Sequence, residues 1–526
     1  MNSANHRDTS LPPFDGAVVG AGIAGLSTAV YARRAGLSVR VFERHFIPGG
    51  LCTSWKRRGH VFDYCVHYFF GTRKEHAMYE MWKTLGVIDS VEFQHMDAFG
   101  CYRAADGRVL TLYTDYRRLR DHLLAIAPED AKKTRAFCRA IRVIRHLRVA
   151  DFSLSPRNIW RFILSIPALP AMKKWSSIMT SEWCAGLRNE LLRRAIPAII
   201  GMVGFPLIGP IMVLALMHRG TVGYPVGGSL PVALAVEERA QSLGAELVYR
   251  SGVRRVLVEN GCATGIELED GRVQRARSVV AACDAHTVLE SLLEGGLRDA
   301  VYERMFQENP VHPSITQVSL GVRLDPAWDA GKIPARAILE LSQSISVDGR
   351  DTSEMELQNY THDPAMAPRA NTVMLVRYRG DYEYWEGLRH DRTRYRDEKQ
   401  RLLAATVKGL EEYFPGIGSR IEASDVATPT TCVRYTGNWR GSTQGWILTR
   451  ELMADVFAGR RPPKTFPDLA NFHLAGQWTE PNGGLPPSAI SGRTAVQQIL
   501  RDRRRTRTAT SVEHTGVAGD HTAQPA

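Results

Sequence analysis

The sequence predicts an α/β protein: a parallel-sheet domain assembled from separated segments, with an α+β domain, mainly helical in its first part, inserted between them. Three observations carry this. A strand–helix–strand unit with a glycine-rich turn opens the chain between Ala17 and Glu43. A short strand, a Gly-Gly loop and a helix close it between Asn471 and Arg503. Between them lie a helix-patterned stretch, residues 74–220, and an alternating, strand-patterned stretch, residues 310–380. With 526 residues, 44% hydrophobic and 23% charged, the chain has room for two or three domains. That composition excludes a collagen, a coiled coil or a wholly disordered chain.

In chain order, Ala17–Gly20 is a strand, Ile23 to about Ala35 a helix, and Leu37–Glu43 a second strand. Tyr224–Gly228 reads as a Pro/Gly turn. Leu230–Leu243 is an amphipathic helix closed by Gly244, a residue suited to a C-cap. Val253–Val258, Thr264–Leu268 and Ser278–Cys283 are strand-like, with a hairpin turn at Asp270-Gly271. Asp397 to about Phe414 is a helix, Asn471–Ala475 a last short strand, and Ser488 to about Arg503 a final helix. Residues 506–526 are polar without aliphatic periodicity and are expected to be disordered.

The eight cysteines include no C-x-x-C pair, so neither a zinc ribbon nor a thioredoxin-type centre is expected, nor any other metal site. Scattered thiols suit a reducing cytoplasm, and the polar start, MNSANHRDTSLPPF, lacks the apolar core of a secretory signal. Net charge is +12. Most of the excess falls in residues 131–175, with eleven Lys/Arg and one acid, Asp151. Arg135, Arg139, Arg142 and His146 recur at helical spacing opposite Phe137, Ile141, Ile144 and Leu147. An apolar stretch bracketed by Trp160 and Trp175 follows.

Two readings stand open: peripheral membrane contact through 131–175, or a solvated helix face followed by a core segment. No zinc-finger spacing or RRM signature supports a nucleic-acid partner. Ala195–Met217 has 23 residues without a charge, long enough to span a bilayer. Pro197, Pro206, Pro210 and three glycines break it, which suits a protein-buried cavity wall better than lipid exposure.

The turn Gly20-Ala21-Gly22-Ile23-Ala24-Gly25 follows a strand and opens a helix, and Glu43 ends the next strand 18 residues after Gly25. That context fits a Rossmann-type dinucleotide site. Gly20 permits the tight turn, Gly22 lets backbone approach a pyrophosphate, and Gly25 allows close helix–strand packing. The N–H groups at Ile23 and Ala24 face phosphate. The Glu43 carboxylate can accept both ribose hydroxyls and disfavours a 2′-phosphate, leaving FAD or NAD(H). Gly49 and Gly50, flanked by Arg44 and Leu51, would admit the diphosphate and a flavin from a second side. Ordinary NAD dehydrogenases lack this extension. At the far end, Gly476 and Gly484 remove side chains where an isoalloxazine must lie, with Thr479, Glu480 and Leu485 as ring or ribityl neighbours. The helix beginning near Ser488 would turn its positive end toward the flavin.

GAVVGAGIAGLSTAVYARRAG…VFERHFIPGGLCTSWKRRGHVFDYCVH resembles the N-terminus of FAD-dependent oxidoreductases of the phytoene desaturase group. That group includes carotenoid isomerases and retinol saturases and belongs to the wider amine-oxidase-like flavoproteins. Thr428–Ile447 resembles a block of its isomerase-type members, and Leu474–Ile499 its C-terminal flavin motif. The resemblance covers about half the chain; 75–220 and 300–425 match by pattern only. It implies a discontinuous Rossmann-type FAD-binding domain (14–115, 222–300, 425–505) with an inserted α+β substrate domain, helical over 116–221 and strand-rich over 301–424. It also places Val256 where the family clasps adenine with backbone groups.

The resemblance further implies hydride exchange at flavin N5 with a hydrophobic polyene or isoprenoid, as desaturation, saturation or isomerisation, with NAD(P)H a candidate electron donor. Leu51 stands where many relatives carry Arg, and no aromatic cage for an amine can be read, so a polyene is favoured over an amine. Asp63 and His67, four apart in FDYCVH, would share a face if helical, to orient the flavin or shuttle a proton; a buried hydrogen-bonded pair is the favoured alternative. Tyr435 and Glu480 are further acid–base candidates. Substrate entry is expected around 150–220. Tailoring or reductive cyclisation of a polyene polyketide, a flavin amine oxidase, and a non-catalytic flavin-binding membrane-associated protein are the rival readings. No GxSxG, HExxH or P-loop occurs.

Overall fold

The computed structural model of the chain describes residues 11–146, 166–202, 204–328, 330–480 and 483–516. They form two compact units. One is drawn from residues up to Ile47, Arg239–Met305 and the residues from Arg461 on; the other from Pro48–Glu238 and Phe306–Arg460. Residues 48–115, 222–238 and 425–460, which the resemblance assigns to the parallel-sheet domain, group with the second unit, and residues 301–305 with the first.

The first unit is built on a five-stranded parallel sheet in the order Glu246–Val248, Val39–Phe42, Gly16–Val19, Val279–Ala281, Phe472–Leu474. The inner strands are near-continuous apolar runs because helices or other chain cover both faces; Ala17, Val18, Val41 and Ala281 have no exposed surface. The helix after the first strand, Ile23–Arg34, packs against the last helix, Leu485–Gly516. Ser27 Oγ donates to the Ala489 carbonyl across that contact at 2.7 Å. The two ends of the polypeptide thus meet over one sheet. A second sheet runs Leu11–Phe14, Val273–Ala276, Cys262–Leu268, Val253–Glu259. Its Val273–Ala276 strand, too short and polar to stand out in the sequence, is the return arm of the Asp270-Gly271 hairpin.

The second unit carries a seven-stranded sheet: Ile421–Ala427, Ile315–Arg323, Asn371–Arg379, Arg350–Asn359, Arg336–Val347, Ala98–Arg103, Val109–Tyr113. One face is apolar. Val318, Leu320, Met355, Leu357, Met374 and Val376 pack with Leu402 and Leu410 of the Arg392–Glu411 helix. A separate apolar block is built from the helices between Tyr116 and His218.

Several expected boundaries move. Residues 74–220 are not helical throughout: Phe93–Gln94, Ala98–Arg103 and Val109–Tyr113 are strands, two of them completing the large sheet. Val222–Pro225 is a strand paired on both sides, so the turn there is confined to residues 226–228. The helix expected from Asp397 begins at Arg392, because the Asp391 side chain caps it by accepting from the N–H groups of Thr393 and Arg394. The last helix starts at Leu485 and continues to Gly516, past the point where a disordered tail was expected. Residues 517–526 lie outside the described residues.

In Ala131–Ile144 the apolar side is already covered: Phe137, Cys138, Ile141 and Ile144 are core residues, while Arg135, Arg139 and Arg142 are exposed. Trp175 is core as well, whereas Leu147 and Trp160 lie outside the described residues. The uncharged 195–217 stretch divides between helices Glu190–Ile200 and Ile208–His218. No helix among the described residues is long and apolar enough to cross a membrane.

Candidate active site: a nucleotide cradle and a buried polar row

In the first unit, the Ile23–Arg34 helix begins at Gly22 with no side-chain cap and no acid in its first turn, so its leading N–H groups remain available to an anion. Gly25 must be glycine: a Cβ there would lie 1.9 Å from the Gly20 carbonyl oxygen. Glu43, 8% exposed, accepts from the N–H of Ala21 at 2.7 Å and of His45 at 2.8 Å. A carboxylate with two bonds made keeps acceptor capacity for two more, the number a ribose diol requires. Burial pushes its pKa up, against the pull of those N–H groups and of the Arg44 charge.

The C-terminal part of the unit stands beside the same sheet. Gly476 donates its N–H to Ser491 Oγ at 2.8 Å, and Thr479 Oγ donates to the Gly476 carbonyl at 2.9 Å. Among the described residues, none has an atom within 4 Å of where a Cβ on Gly484, just ahead of Leu485, would stand. An uncapped helix start, a buried carboxylate with acceptor capacity to spare and open ground before a second helix start fit FAD. Val256 is buried in its strand opposite Ile266. Glu480 departs from its expected part: its carboxylate is held by Lys464 at 2.5 Å, both side chains mostly buried, which makes it one half of an ion pair rather than a free acid or base.

In the second unit, Gly49 sits where a Cβ would meet the Cys52 carbonyl oxygen at 2.2 Å, and Gly50 and Leu51 follow it into the turn that closes on Cys52. Asp63 and His67 are not on a helix: Asp63 ends the His60–Asp63 strand, and the chain runs on irregularly through His67. They do not bond each other. Asp63, fully buried, takes the N–H and Oγ–H of Ser229 at 2.8 and 2.9 Å. Burial, partly offset by Ser229 and the Arg377 charge, pushes its pKa up to about 6. Tyr435 is 44% exposed on the Pro429–Thr436 helix, a poor setting for an acid–base group.

The sequence reading missed a row of polar side chains on the face of the large sheet opposite its apolar one. Gln317, Arg377 and Glu356 stand in direct cross-strand register on three adjacent strands, and Arg336 lies on the next. Arg377 Nε donates to Gln317 Oε1 at 2.8 Å, and Arg336 Nε to Glu356 Oε1 at 3.1 Å. Gln358 also donates to Glu356 Oε1, at 2.9 Å. Burial works against the Glu356 charge, but the neighbouring cations, Arg336 first, hold its pKa at about 2. Arg377 Nη1 donates to His67 Nε2. Burial and the Arg377 charge hold His67 well below the ordinary histidine range, so it is neutral, with both ring nitrogens close to Arg377 Nη1. Beyond Arg336 the row meets aromatics: its guanidinium lies 5.6 Å from the Phe99 ring, and Phe99, Tyr68 and Phe70 follow in contact.

Residues 23–500 match the flavin-containing amine oxidoreductase family. The chain belongs to that family. The protein is an FAD-dependent oxidoreductase. Its similarity to a neurosporene-forming phytoene desaturase of Cereibacter sphaeroides is 25% identity over 93% of this chain and 95% of that one. A chloroplastic prolycopene isomerase of Arabidopsis thaliana is 22% identical over 83% of this chain and 75% of its own length. All-trans-retinol 13,14-reductase of Danio rerio is 23% identical over 82% and 77%. Among solved structures, an oxidoreductase from Methanosarcina mazei superposes with a TM-score of 0.56, covering 92% of this chain and 99% of that one at 17% identity. Cyclohexylamine oxidase from Brevibacterium oxydans does so with 0.57, covering 94% and 100%, also at 17% identity. These two structures share the fold.

Proposed function

We propose that the protein exchanges a hydride between FAD and a long hydrophobic polyene or isoprenoid, by desaturation, saturation or isomerisation. The observation that carries this is similarity along nearly the whole of both chains to a phytoene desaturase, with a prolycopene isomerase and a retinol reductase also among the relatives. When bound, FAD supplies a hydride acceptor or donor at N5. Gly22, Glu43 and the turn before Leu485 bind it. Cyclohexylamine oxidase shares the fold at 17% identity, and its substrate does not extend to this chain on that ground.

Asp63 spends both carboxylate oxygens on Ser229 and acts as a structural pin. His67 faces the Arg377 guanidinium, whose charge with burial makes it a weak base, suited to positioning rather than proton shuttling. The reaction then relies on a dry, shaped site more than on a strong base. Chromatography and mass spectrometry of polyenes incubated with flavin-loaded protein test the reading. Loss of two mass units means desaturation, gain means saturation, and altered retention at constant mass means isomerisation. Amine-dependent peroxide release, with polyenes inert, would falsify it.

We further propose peripheral, electrostatic contact with anionic membranes through the exposed cations of the Ala131–Ile144 helix, with Ile166 and Leu169 exposed nearby in sequence at 49% and 39%. Each surface cation near anionic lipid contributes about 1 kcal/mol. The Arg135→Glu/Arg139→Glu/Arg142→Glu variant should therefore lose about a hundredfold in affinity for anionic vesicles at low salt. Co-sedimentation measures it, and no binding by the unaltered protein removes the membrane part.

A further inference from the structure

Arg377 is 5% exposed, and a guanidinium that deep ordinarily has a carboxylate partner. Among the described residues it forms no ion pair. Its donors go to Gln317 Oε1, to the Asp63 main-chain carbonyl at 3.4 Å, and to the His67 ring. The two nearby carboxylates are turned to other donors: Asp63 to Ser229, and Glu356 to Arg336 and Gln358. A guanidinium has five N–H groups, so these contacts leave donors over.

The strand geometry puts the charge where a ligand can use it. Arg377 shares its side of the strand with Val373 and Leu375, while Met374, Val376 and Tyr378 fill the opposite core. It is the one cation at the centre of the polar row, flanked in register by Gln317 and Glu356. Gln317 and Arg377 are buried, whereas His67, Glu356 and Arg336 keep part of their surface accessible. Past Arg336 lie Phe99, Tyr68 and Phe70, aromatic surface suited to a conjugated chain. A hydrocarbon has no use for the charged end of this arrangement. An amphiphile with an apolar body and an anionic end matches both parts.

We propose that Arg377, positioned by Gln317 and His67, forms a subsite for a carboxylate, and that the substrate is a polyene ending in a carboxylic acid. This rests on the polyene reading above and narrows it. Arg is the side chain suited to a carboxylate, because its planar fork can make two parallel hydrogen bonds. Neutral His67 caps one edge of the guanidinium without cancelling its charge.

The test uses three probes of equal length on the flavin-loaded protein: a C20 conjugated polyene carboxylic acid, its methyl ester and the corresponding hydrocarbon. Binding is read by quenching of flavin fluorescence. A charge-assisted contact should make the acid bind about tenfold or more tighter than the ester. In Arg377→Gln that preference should disappear while ester and hydrocarbon binding hold, and Arg377→Lys should restore part of it. Flavin content and melting temperature are measured alongside. Equal binding of acid and ester by the unaltered protein overturns the subsite and leaves the polyene reading standing. Loss of flavin from a folded Arg377→Gln protein also overturns it, since the guanidinium then serves the cofactor. Failure of all three probes to bind is failure of the polyene reading itself, and the subsite goes with it.

Discussion

The two sheets solve opposite problems. The parallel sheet of the first unit is apolar on both faces, and its chemistry sits at strand ends, in the turns around Gly22, Glu43 and Gly476. The antiparallel-rich sheet of the second unit packs its larger apolar core on one face and mixes apolar residues such as Val373 and Leu375 with polar ones on the other, where its chemistry lies across the strands, as the row from Gln317 to Arg336. The first arrangement suits a long charged cofactor that several turns must hold at once. The second suits a ligand laid over a surface, with one charged point in a mainly apolar setting. Lesions in the turns of the first unit should therefore cost flavin, and lesions in the polar row of the second should cost substrate binding or stability with flavin retained.

The sharpest break comes from Gly25→Val. Its side chain would press on the Gly20 carbonyl, 1.9 Å from the Cβ position, at a cost of about 3 kcal/mol or more. Purified protein should lose nearly all its flavin absorbance; full flavin content would contradict the cradle. Next is Asp63. Its carboxyl, ordinarily near 3.8, is raised to about 6 in the folded chain, so the folded state binds the proton more tightly than the unfolded one. The stability this gives is fully present below the unfolded value and is lost as pH rises through the folded one, in total about 3 kcal/mol. Asp63→Asn should remove that slope from urea unfolding measured between about pH 4 and pH 7 and leave flavin content intact. An unchanged slope would show that Asp63 is not the group responsible. The smallest effect is Ser27→Ala, which removes one buried bond between the first and last helices, at about 1 kcal/mol or roughly 2 °C in melting temperature. A drop of ten degrees would mean that this bond does far more than tie two helices.

The two regions also differ in how far the sequence revealed them. The nucleotide cradle is local: Gly20, Gly22, Gly25 and Glu43 lie within one strand–helix–strand unit, and spacing alone places them. The start of the C-terminal helix was legible to within three residues, misjudged because Leu485-Pro-Pro does not look like a helix opening, although Pro is tolerated in a first turn, while its end at Gly516 lies well past the expected Arg503. The polar row is non-local. Gln317, Arg377, Glu356 and Arg336 each show in sequence as a polar residue alternating with apolar ones. Only register aligns them, and register is fixed by pairings 20 to 60 residues apart. Asp63 is buried and His67 only half-buried, and the hydrogen-bonded pair expected of them is not formed. Val61 and Phe62 belong to a strand, and the partners that occupy the two residues, Ser229 and Arg377, come from distant segments.

The most direct measurement of the central claim is a single anaerobic turnover of flavin-loaded protein with a conjugated polyene, following the flavin spectrum and the mass of the recovered polyene together. Flavin reduction or reoxidation should track a two-mass-unit change in the polyene one for one, or, for an isomerase, the reduced flavin should persist while retention changes at constant mass. A flavin that answers only to amines, with every polyene recovered unaltered, would contradict it.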